Sequence, residues 1–205
     1  AVMLTLWSLG TVRAALGQVT PAITSAPPPA GVVGGTYLHD FTSTGFTSAP
    51  TYSVTSGPVP QGVMIDAQGH MFGVPTSAGT FGPTTVCASN GVQAQACQTF
   101  TVTIRKFTPI LFSQASPGGP VGTAVRNTAT VGSQQNPTGT VTFRLYSDEA
   151  CTAEVFSSTN VVDAQRQAAS DDFVPTVPGT YRWSVFYSGD ANHEPSAFVC
   201  SPTNR

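Results

Sequence analysis

The chain has 205 residues, of which only 9% are charged, and its formal net charge is −2. So few basic side chains cannot neutralise a phosphate backbone, which excludes a nucleic-acid partner. No apolar run reaches the ~18 residues of a membrane-spanning helix, and a helical bundle would need far more Ala, Glu, Lys and Leu.

Residues 1–19 form the most apolar segment and are predicted to be an extension in front of the first domain. As a strand, the segment places Val2, Leu4 and Leu6 on one face and Met3, Trp7 and Leu9 on the other. Its large apolar residues up to position 12 are Val2, Met3, Leu4, Leu6, Trp7, Leu9 and Val12. Three other interpretations stay open: a signal-peptide remnant, a short amphipathic helix, and a segment that folds back on its own chain.

Residues 20–105 show short β-prone runs at about ten-residue spacing, which is typical of β-sandwiches. The predicted strands are Ala22–Ser25, Gly35–Thr42, Thr51–Thr55, Val63–Asp66, His70–Val74, Gly79–Cys87 and Ala94–Arg105. The stretch from Asp66 to Gly69 is predicted to be a tight turn. Asn90-Gly91 is the strongest hairpin signal, since both residues tolerate positive φ.

The last of these strands alternates clearly between apolar and polar residues. Phe100, Val102 and Ile104 are expected to face a core, and the threonines between them to face solvent. Cys97 shares the parity of the threonines, so its disulfide is expected on the solvent face.

The four cysteines Cys87, Cys97, Cys151 and Cys200 lack the spacing of a zinc site and indicate disulfides in an oxidising, extracellular compartment. Four cysteines allow three pairings, and the sequence does not choose between them. Two independent domains would favour Cys87–Cys97 and Cys151–Cys200, because each pair then stays within one unit.

A second domain, residues 106–205, follows a boundary near Arg105–Phe107, in keeping with a length about twice that of a ~100-residue domain. Its predicted strands are Ile110–Ala115, Gly122–Val131, Gly139–Ser147, Glu154–Ser158, Arg166–Val174 and Gly179–Tyr187. Trp183 is expected to be a core residue. This domain is predicted to lack its closing strand, unless Ser196–Val199 takes that place.

Turn and core motifs in both parts are similar to those of known bacterial domains. Pro27-Pro28-Pro29, Gly34-Gly35-Thr36-Tyr37 and Gly73-Val74-Pro75-Thr76 resemble the immunoglobulin-like (cadherin-like) domains of bacterial surface proteins. Pro178-Gly179-Thr180-Tyr181 and Tyr187-Ser188-Gly189-Asp190 resemble a bacterial Ig-like repeat. The resemblance implies two tandem antiparallel Ig-like β-sandwiches in a secreted or cell-surface protein, used as spacer, stalk or adhesin part.

A spare strand at one end and a missing strand at the other predict donor-strand complementation. In this hypothesis Val2–Val12 of one chain complete the second domain of the next, so the partner is the protein itself and the product is an extracellular, pilus-like filament. The alternatives are a stalk of a larger adhesin and a carbohydrate-binding module, whose aromatic platform would be Tyr37, Phe41, Phe46 and Tyr52. A surface glycan or host ligand could also bind, but no motif identifies one.

No catalytic motif occurs, so the chain is predicted not to be an enzyme and to use no cofactor or metal. The histidines His39, His70 and His193 are expected on the surface. The stretch Asp190–Glu194 only loosely resembles a calcium loop and is expected to be a turn.

Overall fold

The computed structural model describes residues 19–200, and within this range the chain is built of β-strands with no helix, so no helix there could cross a membrane. The strands are β1 (Ala22–Ile23), β2 (Gly31–Val32), β3 (Tyr37–Asp40), β4 (Ser43–Thr44), β5 (Thr51–Ser56), β6 (Val63–Ile65), β7 (His70–Gly73), β8 (Gly79–Ser89), β9 (Ala96–Arg105), β10 (Ile110–Ala115), β11 (Asn127–Gly132), β12 (Thr140–Tyr146), β13 (Glu154–Val161), β14 (Gln167–Ala169), β15 (Arg182–Tyr187) and β16 (Ser196–Phe198). The predicted all-β fold of antiparallel Ig-like sandwiches is confirmed. The domain boundaries stay predictions, and the predicted extension strand, except Val19, lies outside the described residues.

The first half of the chain, residues 19–105, contains three sheets, ordered β1–β4, β3–β7–β6 and β2–β9–β8–β5. The strand pairs are antiparallel except that β2 runs parallel to β9. Their inner faces enclose a core whose buried members are Val33, Tyr37, Phe41, Tyr52, Val63, Met71, Val86, Ala88, Phe100, Val102 and Ile104. In β9 the apolar residues are buried and Thr99, Thr101 and Thr103 are exposed, as the alternation predicts.

The second half, residues 107–200, packs the sheet β10–β11–β14 against the sheet β13–β12–β15–β16. The buried core residues between them are Leu111, Ala129, Val131, Val141, Phe143, Leu145, Ala168, Trp183, Val185 and Tyr187. Trp183 lies edge-on to Phe143 and Phe156, at centroid distances of 6.4 and 6.0 Å, so it is the core residue that the sequence predicts.

The expected absence of a closing strand in the second half is corrected by the structure. β16 pairs antiparallel with β15, with Phe198 opposite Val185 and Ser196 opposite Tyr187. The alternative left open for Ser196–Val199 is therefore the one found. Three residues suffice because the disulfide Cys151–Cys200 fixes the chain just beyond the strand.

Several predicted strands are shorter in the structure. The expected strand Gly122–Val131 begins only at Asn127, because Thr123 donates its N–H to the Pro120 carbonyl and forms a turn. The stretch Arg166–Val174 pairs continuously only over β14. The two-residue strands β2 and β4 were not predicted, since two residues show no periodicity.

The two halves lie end to end. Strands of the first half pack extensively only against other strands of the first half, and the same holds for the second half. In the first half the β8–β9 register places Gly79 and Ile104 at the end next to the linker and Ala88 and Ala96 at the opposite, free end. In the second half Val141 and Tyr187 lie at the linker end. Tyr146 and Arg182 lie at the free end of that half.

Candidate functional site

The structure shows where some of the predicted site residues lie. The donor residues Val2, Met3, Leu4, Leu6, Trp7, Leu9 and Val12 lie outside the described residues. The cysteines form the bridges Cys87–Cys97 and Cys151–Cys200, one in each half. Cys97 is exposed on the outer face of β9, and Cys87 is covered, with Thr55 Oγ1 at 3.4 Å from its sulfur. Two such bridges are typical of proteins that fold in an oxidising compartment.

The aromatic residues considered as a carbohydrate platform belong to the core of the first half. Tyr37, Phe41 and Tyr52 are buried, and the half-buried Phe46 packs against them. Burial raises the pKa of the Tyr37 phenol, whose O–H donates to the Pro29 carbonyl at 2.6 Å. Only Phe46 is partly exposed, so these four rings do not form a continuous stacking platform for a sugar.

A turn of the second half makes the contact between the halves. Asn192 accepts a hydrogen bond from the Ala78 N–H at 2.9 Å and donates one to the Thr76 carbonyl at 3.2 Å. The linker adds to this junction, because the Phe107 N–H donates to the Asn192 carbonyl and the Glu194 N–H donates to the Phe107 carbonyl, both at 2.8 Å. The two halves of the chain are thus joined by specific polar contacts as well as by the covalent linker.

The Asp190 carboxylate organises this turn. Its Oδ1 accepts from the N–H groups of Asn192 and His193 and from the His193 ring at 2.8 Å each, and its Oδ2 accepts from Thr138 N–H at 2.7 Å. Burial by itself would raise the pKa of Asp190, but these hydrogen bonds outweigh burial and hold the pKa well below its usual range. Burial also raises the pKa of the neighbouring Tyr187 phenol, and the Asp190 charge raises it further.

His193 is fully buried in the junction, which corrects the expectation that it lies on the surface. Its Nδ1 bonds Asp190, and its Nε2 lies 2.8 Å from Ser133 Oγ. Ser133, His193 and Asp190 are thus connected in the order used by serine hydrolases. Ser133 is only 8% exposed, however, and its Oγ also accepts the Gln135 N–H at 3.1 Å, so a substrate carbonyl has no approach to it.

We therefore expect a fluorophosphonate probe not to label the folded chain at Ser133, because the hydroxyl is enclosed at the junction. Mass spectrometry of the intact protein after incubation measures this, with chymotrypsin as the positive control. Stoichiometric labelling that a Ser133→Ala substitution removes would contradict the prediction that the chain is not an enzyme.

The turn offers no cation site. Both Asp190 oxygens point at N–H and O–H donors, so neither is directed towards a metal ion. Across residues 19–200 no group of three His, Cys, Asp or Glu side chains is placed to hold one.

An uncharged groove of about 180 Å³ opens at the free end of the second half. The end of β10, the start of β15 and the two loops beside them form its walls. Its lining residues are Ala115, Ser116, Gly118, Gly119, Val121, Thr123, Val125, Pro175, Val177, Pro178, Gly179, Tyr181 and Trp183. None of these side chains is charged, and Val121 and Val177 are 50% and 61% exposed.

Two features of the chain leave this groove open. The loops that form it are rich in Gly and Pro, and a Cβ added at Gly118 or Gly179 would meet nothing within 4 Å. In addition, β16 ends at Phe198, and Cys200 is bonded to Cys151 in the β12–β13 turn. Because β12 lies on the side of β15 opposite to β16, this bridge takes the chain across β15 and away from β10.

The groove was not predicted from the sequence. Its only signal is a pair of Pro- and Gly-rich loops, residues 117–122 and 174–179, that carry valines without a strand pattern. Which loops meet at one end of a sandwich depends on strand order, which local periodicity does not contain.

No protein-family model and no curated protein sequence matches the chain. The chain is similar in structure to the Yersinia pseudotuberculosis adhesin InvE, with 16% identity over 88% of this chain and 58% of that chain and a TM-score of 0.34. It is also similar to a DUF3823 family protein of Parabacteroides merdae, with 9% identity, coverage of 89% and 96%, and a TM-score of 0.34. The human OSCAR ligand-binding domain has 16% identity, coverage of 87% and 98%, and a TM-score of 0.24. The chain thus spans less than two thirds of the InvE structure, and likenesses at these TM-scores carry no argument about function.

Proposed function

We propose that this protein is a secreted structural subunit that joins head to tail into an extracellular fibre, with the apolar segment Val2–Val12 as the donor strand. The observation that carries the proposal is that the chain enters its described part at one free end, while an uncharged groove opens at the other. The chain enters the described part at Val19, beside Gly45, Phe46 and Val92 at the free end of the first half. The uncharged groove opens at the free end of the second half.

Opposite ends favour a chain of subunits over a closed dimer. A contact between the head of one copy and the tail of the next is heterologous and repeats unless its rotation closes a ring. The polar junction around Asn192 supports this role, because a subunit whose two halves are held together repeats with a constant spacing. The disulfides support a location outside the cytosol.

The proposal is tested by comparing the full chain with a variant that lacks residues 2–12. We expect the purified full chain to form linear oligomers in negative-stain electron microscopy and sedimentation velocity, and the variant to remain monomeric with an unchanged circular dichroism spectrum. A second variant with Val2, Leu4, Leu6 and Leu9 replaced by serine keeps the length of the segment and serves as the matched control. Oligomers that persist in both variants would refute the proposal.

The second candidate function is a spacer in a longer surface protein. The observation that favours it is again the junction, in which Asn192 is hydrogen-bonded to Ala78 and Thr76 of the first half. If the full chain is monomeric and small-angle scattering shows a rigid rod, the spacer is the better assignment.

A further inference from the structure

We infer that the groove between the end of β10 and the start of β15, here called the acceptor groove, binds the strand Val2–Leu9 of a second copy of this chain. The inference rests on the proposed head-to-tail assembly and places its acceptor site. The sequence alone predicts that the acceptor site is the position of a missing closing strand in the second half. β16 is already paired with β15 in that position, so a donor cannot bind there without displacing it.

The chemistry of the acceptor groove fits an apolar strand. Its lining contains no charged side chain, and its floor reaches Trp183, which is 6% exposed and belongs to the core. The hydroxyl of the half-buried Tyr181 donates to the Val177 carbonyl at 2.9 Å, so this O–H group is already paired within the groove lining. An anionic or cationic ligand would find no charged side chain in this lining to pair with.

The groove also lies beside the backbone of an edge strand. β10 is hydrogen-bonded only to β11, although β16 packs beside it, and its last residue, Ala115, lines the groove. An edge strand can pair with an added strand through its main chain, while alternate side chains of that strand enter the pocket. A volume of about 180 Å³ admits one or two large side chains, which matches a strand that places every second residue on one face.

Within the given sequence, the composition of residues 2–9 fits this occupant better than that of residues 201–205. The five residues after Cys200 are Ser201, Pro202, Thr203, Asn204 and Arg205, which contain no large apolar side chain. Residues 2–9 contain Val, Met, three Leu and Trp. Burial of these side chains is favourable in proportion to their apolar area.

The length of the segment before Val19 indicates that the strand in the groove comes from a second copy of the chain. Laid end to end, β9 with 10 residues and β12 with 7 place the two free ends roughly 55 Å apart at ~3.3 Å per residue. Leu9 precedes Val19 by ten residues, which span at most ~35 Å when fully extended. Leu9 therefore cannot reach the groove of its own chain, and Val2, seventeen residues before Val19, reaches it only if nearly the whole segment is fully extended, to at most ~60 Å, so the strand Val2–Leu9 as a whole cannot lie there.

The inference is tested with the full chain, by replacing Val177 with aspartate and, as the matched control, the 72% exposed Val161 of β13 with aspartate. Both valines are exposed, so both variants are expected to fold. We expect Val177→Asp to raise the dissociation constant of the oligomers at least ~10-fold in sedimentation, because it buries a charge beside the donor. Val161→Asp is expected to leave the constant unchanged. If Val177→Asp fails to fold by circular dichroism, Val121→Asp at the opposite wall replaces it.

A photo-crosslinker at position 4, in a mixture of isotopically light and heavy chains, identifies the site directly. Links from position 4 to residues 115–125 or 174–183 that join light and heavy chains support the inference. Links within one chain overturn it, as do links to another surface.

Normal assembly of Val177→Asp together with loss of assembly on deletion of residues 2–12 would overturn the acceptor groove and leave the proposed function intact. Assembly that does not need residues 2–12 would remove both. Assembly that strengthens when residues 201–205 are deleted would show that the chain's own C-terminal residues cover the groove, which also overturns the inference.

Discussion

Replacing both Cys151 and Cys200 with serine is expected to lower the free energy of unfolding by about 4 kcal/mol, the largest effect anticipated for this chain. The bridge closes a loop with a sequence separation of 49, so its loss gives the unfolded chain much more conformational freedom. The folded state also loses an anchor, because β16 pairs with β15 over only three residues. Denaturation by guanidinium chloride measures the stability, and hydrogen exchange at Val185–Tyr187 measures the release of β16.

The matched control is the variant with serine at Cys87 and Cys97. This bridge has a sequence separation of 10 and joins directly paired residues of β8 and β9. Loop entropy predicts a smaller loss of about 3 kcal/mol. The long β8–β9 ladder should remain protected from exchange. A larger loss for this pair than for Cys151–Cys200 would contradict the assignment of the second bridge as the anchor of β16.

Replacing Asp190 with asparagine is expected to cost about 2–3 kcal/mol, because a hydrogen bond to a charged acceptor contributes roughly 1.5–3 kcal/mol. An amide keeps the size of the side chain but turns one acceptor into a donor. That donor would then face the N–H of Thr138 or of Asn192, whose bonds to the carboxylate are 2.7 and 2.8 Å long. Urea denaturation measures the loss. The side chain of Asp172 is 59% exposed. Because little is buried there, Asp172→Asn is expected to change stability by less than ~0.5 kcal/mol.

The same substitution tests the pH dependence. Because the pKa of Asp190 is depressed in the folded state, its stabilisation is complete above the ordinary aspartate value of ~3.9 and is lost as pH falls from there towards the folded value. The difference in the free energy of unfolding between Asp190→Asn and the unsubstituted chain should therefore shrink progressively below about pH 4. A difference that stays constant between pH 6 and pH 2 would show that Asp190 keeps its ordinary pKa.

The sequence predicts much of the fold because strand periodicity is local. The alternation of Phe100, Val102 and Ile104 with threonines is visible in six residues, and it identifies a half-buried strand without knowledge of its neighbours. Trp183 is assigned to the core by the same reasoning, and the structure places it there. β16 is harder to recognise, because Ser196–Phe198 offers only three residues and depends on a disulfide for its anchor.

The candidate site depends on long-range arrangement and could be predicted only in part. Ser133 and His193 are 60 residues apart and meet because β11 and the turn after β15 end at the same side of the sandwich. The acceptor groove joins loops that are more than 50 positions apart for the same reason. The apolar character of residues 2–9 is visible in the sequence, but the surface that receives them is a property of sheet order.

The Cys151–Cys200 bridge has a consequence for the response of the molecule to mechanical tension. A pulling force applied between Val19 and Cys200 passes from Cys200 directly into Cys151 through the covalent bond, so the backbone between the two cysteines is not stretched by it. This bypassed segment includes β13, β14, β15 and β16. Even if the rest of the chain is fully unravelled, the 49 intervening steps, roughly 170 Å of backbone at ~3.5 Å each, stay out of the extended length. Single-molecule stretching would register that length only after the bridge is reduced.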